Sequence, residues 1–153
     1  MTDEQMKAAI RGFLQASTAG DIDKALSFLA ADAVYTDPNG TFKGTAELKY
    51  FWTAFNKKFK DSNATETGIG IIIQGNIGII EHILSGTMRG IKGQVPAVCI
   101  YEFKNDKIQN IRGFDDRLTI AKQAARGPTE KMMVNMIVNS MEKGLRQKIA
   151  VKT

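Results

Sequence analysis

The sequence predicts an α+β fold in which helices cover one face of a curved antiparallel sheet, with an extra helix at the C-terminal end. Three observations predict it. Apolar side chains recur at helical spacing in the first 60 residues, the next 60 hold isoleucine-rich runs separated by turn residues, and helical spacing returns after residue 126. At 153 residues the chain suits one core. We expect one domain over residues 1–125 and a helical extension over 126–153.

Three helices are predicted in the first 60 residues. Thr2 and Gln5 have the spacing of a capping box at the start of the first helix, and Gly20 is suited to end it. Asp21 is suited to cap the second helix. The third runs from about residue 45 to 60, and one broad apolar stripe lies along it: Leu48, Phe51, Trp52, Phe55 and Phe59. We interpret that stripe as core or as the wall of a pocket.

Four strands are predicted near residues 64–73, 76–88, 94–104 and 107–120, joined by turns that contain glycine or asparagine. Side chains alternate between the two faces of a strand, so Ile79 falls on one face and Ile80 and His82 on the other. Both faces are apolar. We therefore expect helices to cover one face and a second copy of the chain to cover the other, as a homodimer.

The C-terminal part of the chain is basic and rich in methionine. A helix is predicted after "RGPTE", with Met133, Met136, Ile137 and Met141 on a side that we expect to pack on its own domain. The residues from Arg117 onward carry a net charge of +6, whereas the preceding residues sum to −1. Since the sequence has no RNA-binding aromatic motif and no zinc finger, we interpret this end as a solvated helix face rather than a nucleic-acid site.

Composition limits the location and the chemistry. No apolar run approaches the roughly 20 residues of a membrane span, and the first residues do not resemble a secretory signal. The chain has one cysteine, which excludes an internal disulfide, and one histidine, which disfavours an imidazole or thiolate metal cluster. We expect a cytoplasmic protein with no membrane contact that uses no cofactor and no metal.

The run "GDIDKALSFLAADAVYTDPNGTFKGTAEL" (20–48) resembles the nuclear transport factor 2-like superfamily, and within it the ketosteroid isomerase and SnoaL-like polyketide cyclase groups. The shared order is a long helix, a Gly-Asp break, a second helix and a short strand that ends in an Asp-Pro turn. The run "RGFDDRLTIAKQ" (112–123) also resembles the last strand of many SnoaL-like proteins. The resemblance implies a cone-shaped, cystatin-like sheet wrapped around the helices and an apolar cavity between them. The fold hosts isomerases, cyclases, hydrolases and non-catalytic binders.

The resemblance implies that Asp37 is a catalytic base, since the aspartate of this Asp-Pro turn shuttles the proton in ketosteroid isomerases. Pro38 restricts Asp37 to an extended conformation, and a carboxylate beside an apolar cavity is desolvated, which raises its pKa. The alternative is that Asp37 only accepts hydrogen bonds within its own turn. The enolate-binding tyrosine and protonated aspartate of ketosteroid isomerases are replaced here by Phe13 and Cys99, which argues against steroid isomerisation.

Asp116 and His82 are the candidate acid–base partners of Asp37. In SnoaL-like cyclases an aspartate near the end of the last strand acts as acid and base, and Asp116 matches that place; a surface pair with Arg112 is the alternative. His82 either faces the cavity and exchanges protons or is an ordinary core histidine. The remaining candidates are ligand contacts on the cavity wall: Phe13, Tyr35, Trp52, Phe55, Cys99, Tyr101, Arg112 and Phe114.

Three classes of function stay open at this point. The first is a cofactor-free isomerase-like or cyclase-like enzyme that acts on a small apolar carbonyl compound, with Asp37 as the base. The second is a binding protein that uses the same cavity without chemistry, which the missing enolate donors favour. The third is a homodimeric interaction module that uses the outer face of the sheet. A small apolar ligand is the expected partner in the first two classes.

Overall fold

The computed structural model describes residues 1–150, apart from the side chains of residues 142 and 144–150. The chain divides into two compact units, Met1–Asp115 and Asp116–Thr153. The boundary predicted from the sequence, after residue 125, lies within the second of these units. Residues 151–153 of the predicted extension lie outside the described residues.

The first unit consists of helices and a seven-stranded sheet. In chain order its elements are α1 (Asp3–Ala19), α2 (Ile22–Ser27), β1 (Leu29–Asp37), β2 (Gly40–Lys43), α3 (Gly44–Lys58), β3 (Phe59–Glu66), β4 (Ile72–Gln74), β5 (Ile77–Met88), β6 (Ile91–Lys104) and β7 (Lys107–Asp115). The strand order is β2-β1-β7-β6-β5-β3, with β4 paired to β5. The α+β class with a curved sheet is confirmed. The sheet is not wholly antiparallel, because β1 and β7 pair in parallel.

The ends of α1 form as the sequence predicts. The hydroxyl of Thr2 accepts a hydrogen bond from the backbone N–H of Gln5 at 3.3 Å, and the Gln5 side chain accepts one from the backbone N–H of Thr2 at 2.8 Å. Gly20 ends the helix in the left-handed region with φ of 79°. Asp21 then caps α2 by accepting a hydrogen bond from the backbone N–H of Lys24.

One face of the sheet, here called the inner face, packs against α1 and α3. Helix α1 approaches β5 closely at Gly78, where a Cβ atom would lie 2.5 Å from Cδ1 of Ile10. Aromatic rings complete this core, with centroids of neighbouring rings 4.5 to 6.5 Å apart: Phe13, Tyr35, Phe42, Phe51, Trp52, Phe55, Phe59 and Tyr101. Rings at these distances are in contact, so the space between helices and sheet is occupied by side chains.

The opposite face of the sheet, here called the outer face, carries exposed apolar side chains beside charged ones such as the Arg112–Glu102 pair. Its exposed apolar side chains lie on four adjacent strands: Ile72, Ile79, Val98 and Phe114. Ile80 and His82 are buried on the inner face. The predicted alternation along β5 is therefore confirmed.

The second unit contains α4 (Arg117–Ala124) and α5 (Gly127–Ala150). The predicted strand over residues 107–120 is too long, because β7 ends at Asp115 and Asp116 caps α4. The expected packing of the methionine side of α5 is wrong: Met133, Met136 and Met141 are exposed. None of the described helices has the length and apolarity that a membrane crossing requires.

We predict that Ile10→Ala destabilises the first unit by about 2–5 kcal/mol, because Ile10 is 0% exposed and its loss leaves a cavity against β5. The matched control is Ile69→Ala, since Ile69 is 87% exposed and its truncation removes no packing. Urea unfolding followed by circular dichroism measures both variants. Equal losses of stability would contradict the proposed packing of α1 on the sheet.

Candidate functional site

Polar residues gather on the inner face where β6 and β7 run side by side. Gly113 of β7 pairs with Cys99 of β6, and Asp115 of β7 pairs with Ala97. Ala97 in turn pairs with His82 of β5. Paired residues in a sheet share a face, and so do alternate residues of one strand. Asp115, Cys99 and His82 therefore lie on the same face as Gly113.

Three strands bring their side chains together at Gly113. A Cβ atom placed on Gly113 would lie 3.2 Å from the Tyr35 hydroxyl oxygen, 3.7 Å from Cβ of Asp37 and 3.8 Å from Sγ of Cys99. Tyr101 follows Cys99 by two residues on the same face of β6. We call these five residues, Tyr35, Asp37, Cys99, Tyr101 and Gly113, the Gly113 cluster. It is the place where the sequence-predicted base meets three of the predicted ligand contacts.

Asp37 ends β1 as a half-buried carboxylate. Its Oδ1 accepts a hydrogen bond from the backbone N–H of Asn39 at 2.7 Å, and its Oδ2 accepts one from the Asn39 side-chain amide at 2.7 Å. The Tyr35 hydroxyl donates a longer bond, of 3.4 Å, to the same Oδ2. The carboxylate therefore stabilises its own turn, as the alternative from the sequence had it, and it also contacts the Tyr35 hydroxyl on the inner face.

The hydroxyl and thiol groups of the cluster are neutral at physiological pH. Burial, with smaller contributions from the charges of Asp37 and Asp115, raises the pKa of Cys99 to about 12. Burial is also the main reason that the pKa values of Tyr35 and Tyr101 lie well above 10. A buried group that keeps its proton is a hydrogen-bond donor without charge. The cluster therefore offers neutral donors beside a carboxylate.

Two buried donors near the cluster have no hydrogen-bond partner among the described residues: the Tyr101 hydroxyl and Nε1 of Trp52. The Cys99 thiol lies close enough to influence the pKa of Tyr101, but the pair does not reach hydrogen-bond geometry. Folded proteins seldom leave buried polar atoms unpaired, because each costs about 1–3 kcal/mol. These two atoms are functional candidates in their own right.

The predicted aromatic contacts form one connected group beside the cluster. The ring of Phe13 packs edge-on against Trp52 at 5.6 Å and against Tyr101 at 6.1 Å. Trp52 also contacts Tyr35 at 5.2 Å and Phe55 at 5.6 Å. The structure therefore brings Phe13, Trp52, Tyr35 and Tyr101 together, with Phe55 at the far side of Trp52.

Arg112 and Phe114 do not belong to this wall. They alternate with Ile111, Gly113 and Asp115, so their side chains are on the outer face, where Arg112 pairs with Glu102 and Phe114 is exposed. The sequence assignment of both as cavity contacts is corrected on that ground. Each is a surface residue of the sheet.

Asp116 and His82 occupy different environments. The carboxylate of Asp116 caps α4: it accepts hydrogen bonds from Thr119, through both hydroxyl and backbone N–H, and from the backbone N–H of Leu118, and these bonds lower its pKa. The side chain is exposed. His82 is buried on the inner face with Nδ1 unpartnered, and burial lowers its pKa, so the ring is neutral at pH 7.

Asp115 is the inner-face acid that the sequence reasoning passed over in favour of Asp116. Its charge acts on both Tyr35 and Cys99, raising their pKa values. Counting alternate positions from the buried Ile111 would have identified it, because residues 111, 113 and 115 share a face. The site therefore contains two carboxylates, Asp37 and Asp115, near one glycine.

Arg11 of α1 forms an ion pair with Glu66 of β3. Nε and Nη2 of Arg11 each donate a hydrogen bond of 2.9 Å to a carboxylate oxygen of Glu66. This ion pair lowers the pKa of Glu66. In the register of the sheet, Glu66 of β3 lies opposite His82 of β5. Within the described residues no group of three or more His, Cys, Asp or Glu side chains is arranged to hold a metal ion. The chemistry available from these residues is acid–base transfer and hydrogen bonding by neutral donors.

Comparison with solved structures finds the same fold in several proteins. A hypothetical protein from Catenulispora acidiphila with a ketosteroid isomerase-like fold, solved with trimethylamine, is 17% identical, with 78% of this chain and 93% of that chain covered and a TM-score of 0.71. An LEH-like epoxide hydrolase from M. tuberculosis is 18% identical. The match covers 88% of this chain and 96% of that chain, with a TM-score of 0.69. A proposed SnoaL-like polyketide cyclase from Shewanella denitrificans is 14% identical. The match covers 80% of this chain and 97% of that chain, with a TM-score of 0.71.

At these identities the likeness establishes the fold and not the reaction. No curated protein sequence matches the chain at a significant level. The sequence profile of the SnoaL-like domain, however, matches residues 10–111, a range that includes the second part of α1, all of α2 and α3, and most of the sheet. The chain belongs to the SnoaL-like domain family, within the nuclear transport factor 2-like fold.

Proposed function

We propose that the protein binds a small apolar carbonyl compound against the inner face of the sheet and that Asp37 acts on it as a base, as in an isomerase or a cyclase. The observation that supports this most directly is the meeting of the Asp37 carboxylate and the Tyr35 hydroxyl over Gly113. Aromatic rings beside them provide an apolar surface for the ligand. Ligand entry requires some of these rings to move, since they are in contact in this structure.

The proposed step is a proton transfer. The carboxylate of Asp37 takes a proton from the carbon next to the carbonyl group; the C–H bond breaks, an O–H bond forms, and the electron pair moves onto the carbonyl oxygen as an enolate. Returning the proton to another carbon gives an isomer, and attack of the enolate carbon on a second carbonyl gives a ring. Asp115 is the second acid on the inner face, so it replaces Asp116 as the proposed partner of Asp37. His82, buried with an unpartnered Nδ1, remains the other candidate partner.

We predict that Asp37→Asn lowers catalysed hydrogen exchange by about 10²–10⁴-fold, the usual contribution of a general base. The probe is 1-indanone in D₂O, and NMR follows loss of the proton signal at the carbon beside its carbonyl group. Asparagine keeps one oxygen that accepts the backbone N–H bond of Asn39, while it loses the acceptor of the Asn39 side-chain amide.

The matched control for this test is Asp61→Asn. Asp61 is an exposed residue of β3, at the opposite edge of the sheet from β1, and its φ of 51° is a conformation that asparagine tolerates. The control is expected to exchange 1-indanone as fast as the wild type. A wild-type protein that binds 1-indanone without accelerating exchange would contradict the base and favour the non-catalytic binding alternative.

The second candidate function is a homodimeric interaction module, and the outer face is the observation that favours it. Ile79 of β5, Val98 of β6 and Phe114 of β7 are exposed on adjacent strands, and Ile72 of β4 continues the surface. Contiguous apolar surface of this kind is typical of association sites. We propose that two copies of the chain pair through this face.

We predict that Ile79→Lys raises the dimer dissociation constant at least about a hundredfold, because an unpaired charge buried at an interface costs several kcal/mol. Ile69→Lys makes the same change at an exposed loop residue and is expected to leave the dimer intact. Sedimentation velocity at micromolar concentration measures both. A monomeric wild-type protein, or equal effects of the two substitutions, would rule out the outer-face dimer.

A further inference from the structure

We propose that the Tyr101 hydroxyl and Nε1 of Trp52 together bind an acceptor oxygen of the ligand, and that the ligand is an uncharged molecule. The proposal rests on the proposed function, because it assumes a ligand on the inner face. It goes beyond it by naming the atoms that hold the oxygen and by excluding anionic ligands. The sequence placed both residues on the cavity wall as ligand contacts, but it did not identify their polar atoms as unpartnered, and the positions expected to supply enolate donors hold Phe13 and Cys99.

The first argument is that these donors are buried and unused. Tyr101 is 0% exposed and Trp52 is 7% exposed, yet neither polar atom has a hydrogen-bond partner among the described residues. Indole N–H is only a donor, and the Tyr101 hydroxyl keeps its proton because burial raises its pKa well above 10. The Trp52 indole therefore lacks an acceptor, and the Tyr101 hydroxyl has beside it only the weakly accepting sulfur of Cys99. A ligand oxygen would be an acceptor for both.

The second argument is that the two donors belong to one neighbourhood. Both rings pack edge-on against Phe13, at 5.6 Å for Trp52 and 6.1 Å for Tyr101. Trp52 also contacts Tyr35 at 5.2 Å, and the Tyr35 hydroxyl influences the pKa of Tyr101. The donors come from α3 and β6, so a ligand that lies between helix and sheet would meet both.

The third argument concerns charge. The nearby acids Asp37 and Asp115 raise the pKa of Tyr35 and of Cys99, which means that the local field opposes negative charge. Arg11 of α1 is paired with Glu66. An anion placed among these rings would be desolvated beside two carboxylates, which is costly. A ketone, an aldehyde or a quinone accepts hydrogen bonds without that cost.

The neutral donors also suit the reaction proposed above. When Asp37 removes a proton, charge develops on the carbonyl oxygen, and donors already aimed at that oxygen stabilise it. Trp52 and Tyr101 are thus assigned the role that a tyrosine and a protonated aspartate have in ketosteroid isomerases. The oxygen and the reacting carbon would be held from different strands, Tyr101 on β6 and Asp37 on β1.

The test compares 1-indanone with indane, which has the same rings and lacks only the oxygen. Trp52 is the one tryptophan of the chain, so indole-labelled protein gives a single N–H resonance. We expect 1-indanone to move the resonance of the indole N–H proton downfield, because hydrogen bonding has that effect. Indane is expected to cause no such downfield shift. A resonance that responds equally to both compounds would overturn the role of Trp52.

Calorimetric affinities of variants provide the second measurement. Tyr101→Phe and Trp52→Phe are each expected to weaken 1-indanone binding about tenfold and to change indane binding much less, since only the ketone loses a hydrogen bond. Tyr50→Phe is the control; Tyr50 is 75% exposed on α3, and its hydroxyl is not part of the inner face. Indane-1-carboxylate is expected to bind more weakly than 1-indanone.

The outcomes separate this inference from the proposed function. If both compounds bind and the variants weaken them equally, the donor assignment is wrong while the apolar site stands. Tighter binding of indane-1-carboxylate than of 1-indanone would overturn the uncharged ligand. If neither 1-indanone nor indane binds at millimolar concentration, the apolar site itself is refuted, and the donors with it.

Discussion

The absence of a side chain at Gly113 is the constraint on which the site depends. Position 113 lies where the inner-face side chains of β1, β6 and β7 converge, and the Tyr35 hydroxyl would be only 3.2 Å from any Cβ atom there. A Cβ atom here would force the Tyr35 hydroxyl to shift by a few tenths of an ångström, so glycine provides space rather than a left-handed backbone. That space accommodates the Tyr35 hydroxyl beside the Asp37 carboxylate of the same strand, with the Cys99 thiol of β6 next to them. A carboxylate and a phenol from β1 and a thiol from β6 thus share one small volume over β7.

Burial gives this volume its chemical character. It keeps Tyr35, Tyr101 and Cys99 protonated, so these groups are donors without charge. It also leaves the Tyr101 hydroxyl and the Trp52 indole without partners, which lowers stability by about 1–3 kcal/mol for each. A core selected only for stability would replace them with phenylalanine and leucine. Their presence is consistent with a site that is completed by a ligand, in line with the trade-off between stability and function.

The local signals in the sequence were sufficient for much of the fold. Thr2, Gln5 and Gly20 cap α1 through hydrogen bonds and backbone angles that involve only nearby residues. The ends of α1 were therefore predictable from the sequence. The alternation that buries Ile80 and exposes Ile79 is likewise local. The end of β7 was predicted wrongly because the sequence is compatible with Asp116 as a strand residue and as a helix cap. Its hydrogen bond from the backbone N–H of Thr119 shows that it is the helix cap. The parallel pairing of β1 with β7 depends on distant residues and left no local signal.

The site was less accessible to sequence reasoning. Asp37 and the aromatic wall were predicted, but Arg112 and Phe114 were placed on the wrong face because the alternation along β7 was not counted from Ile111. The unpartnered state of Trp52 and Tyr101 depends on what surrounds each atom, which only coordinates reveal. A crystal structure of the protein with 1-indanone tests the central claim most directly. We predict the ketone oxygen within hydrogen-bond distance of Trp52 Nε1 and the Tyr101 hydroxyl, with its rings beside Phe13. A ketone bound elsewhere, with this aromatic wall unchanged, would contradict the account.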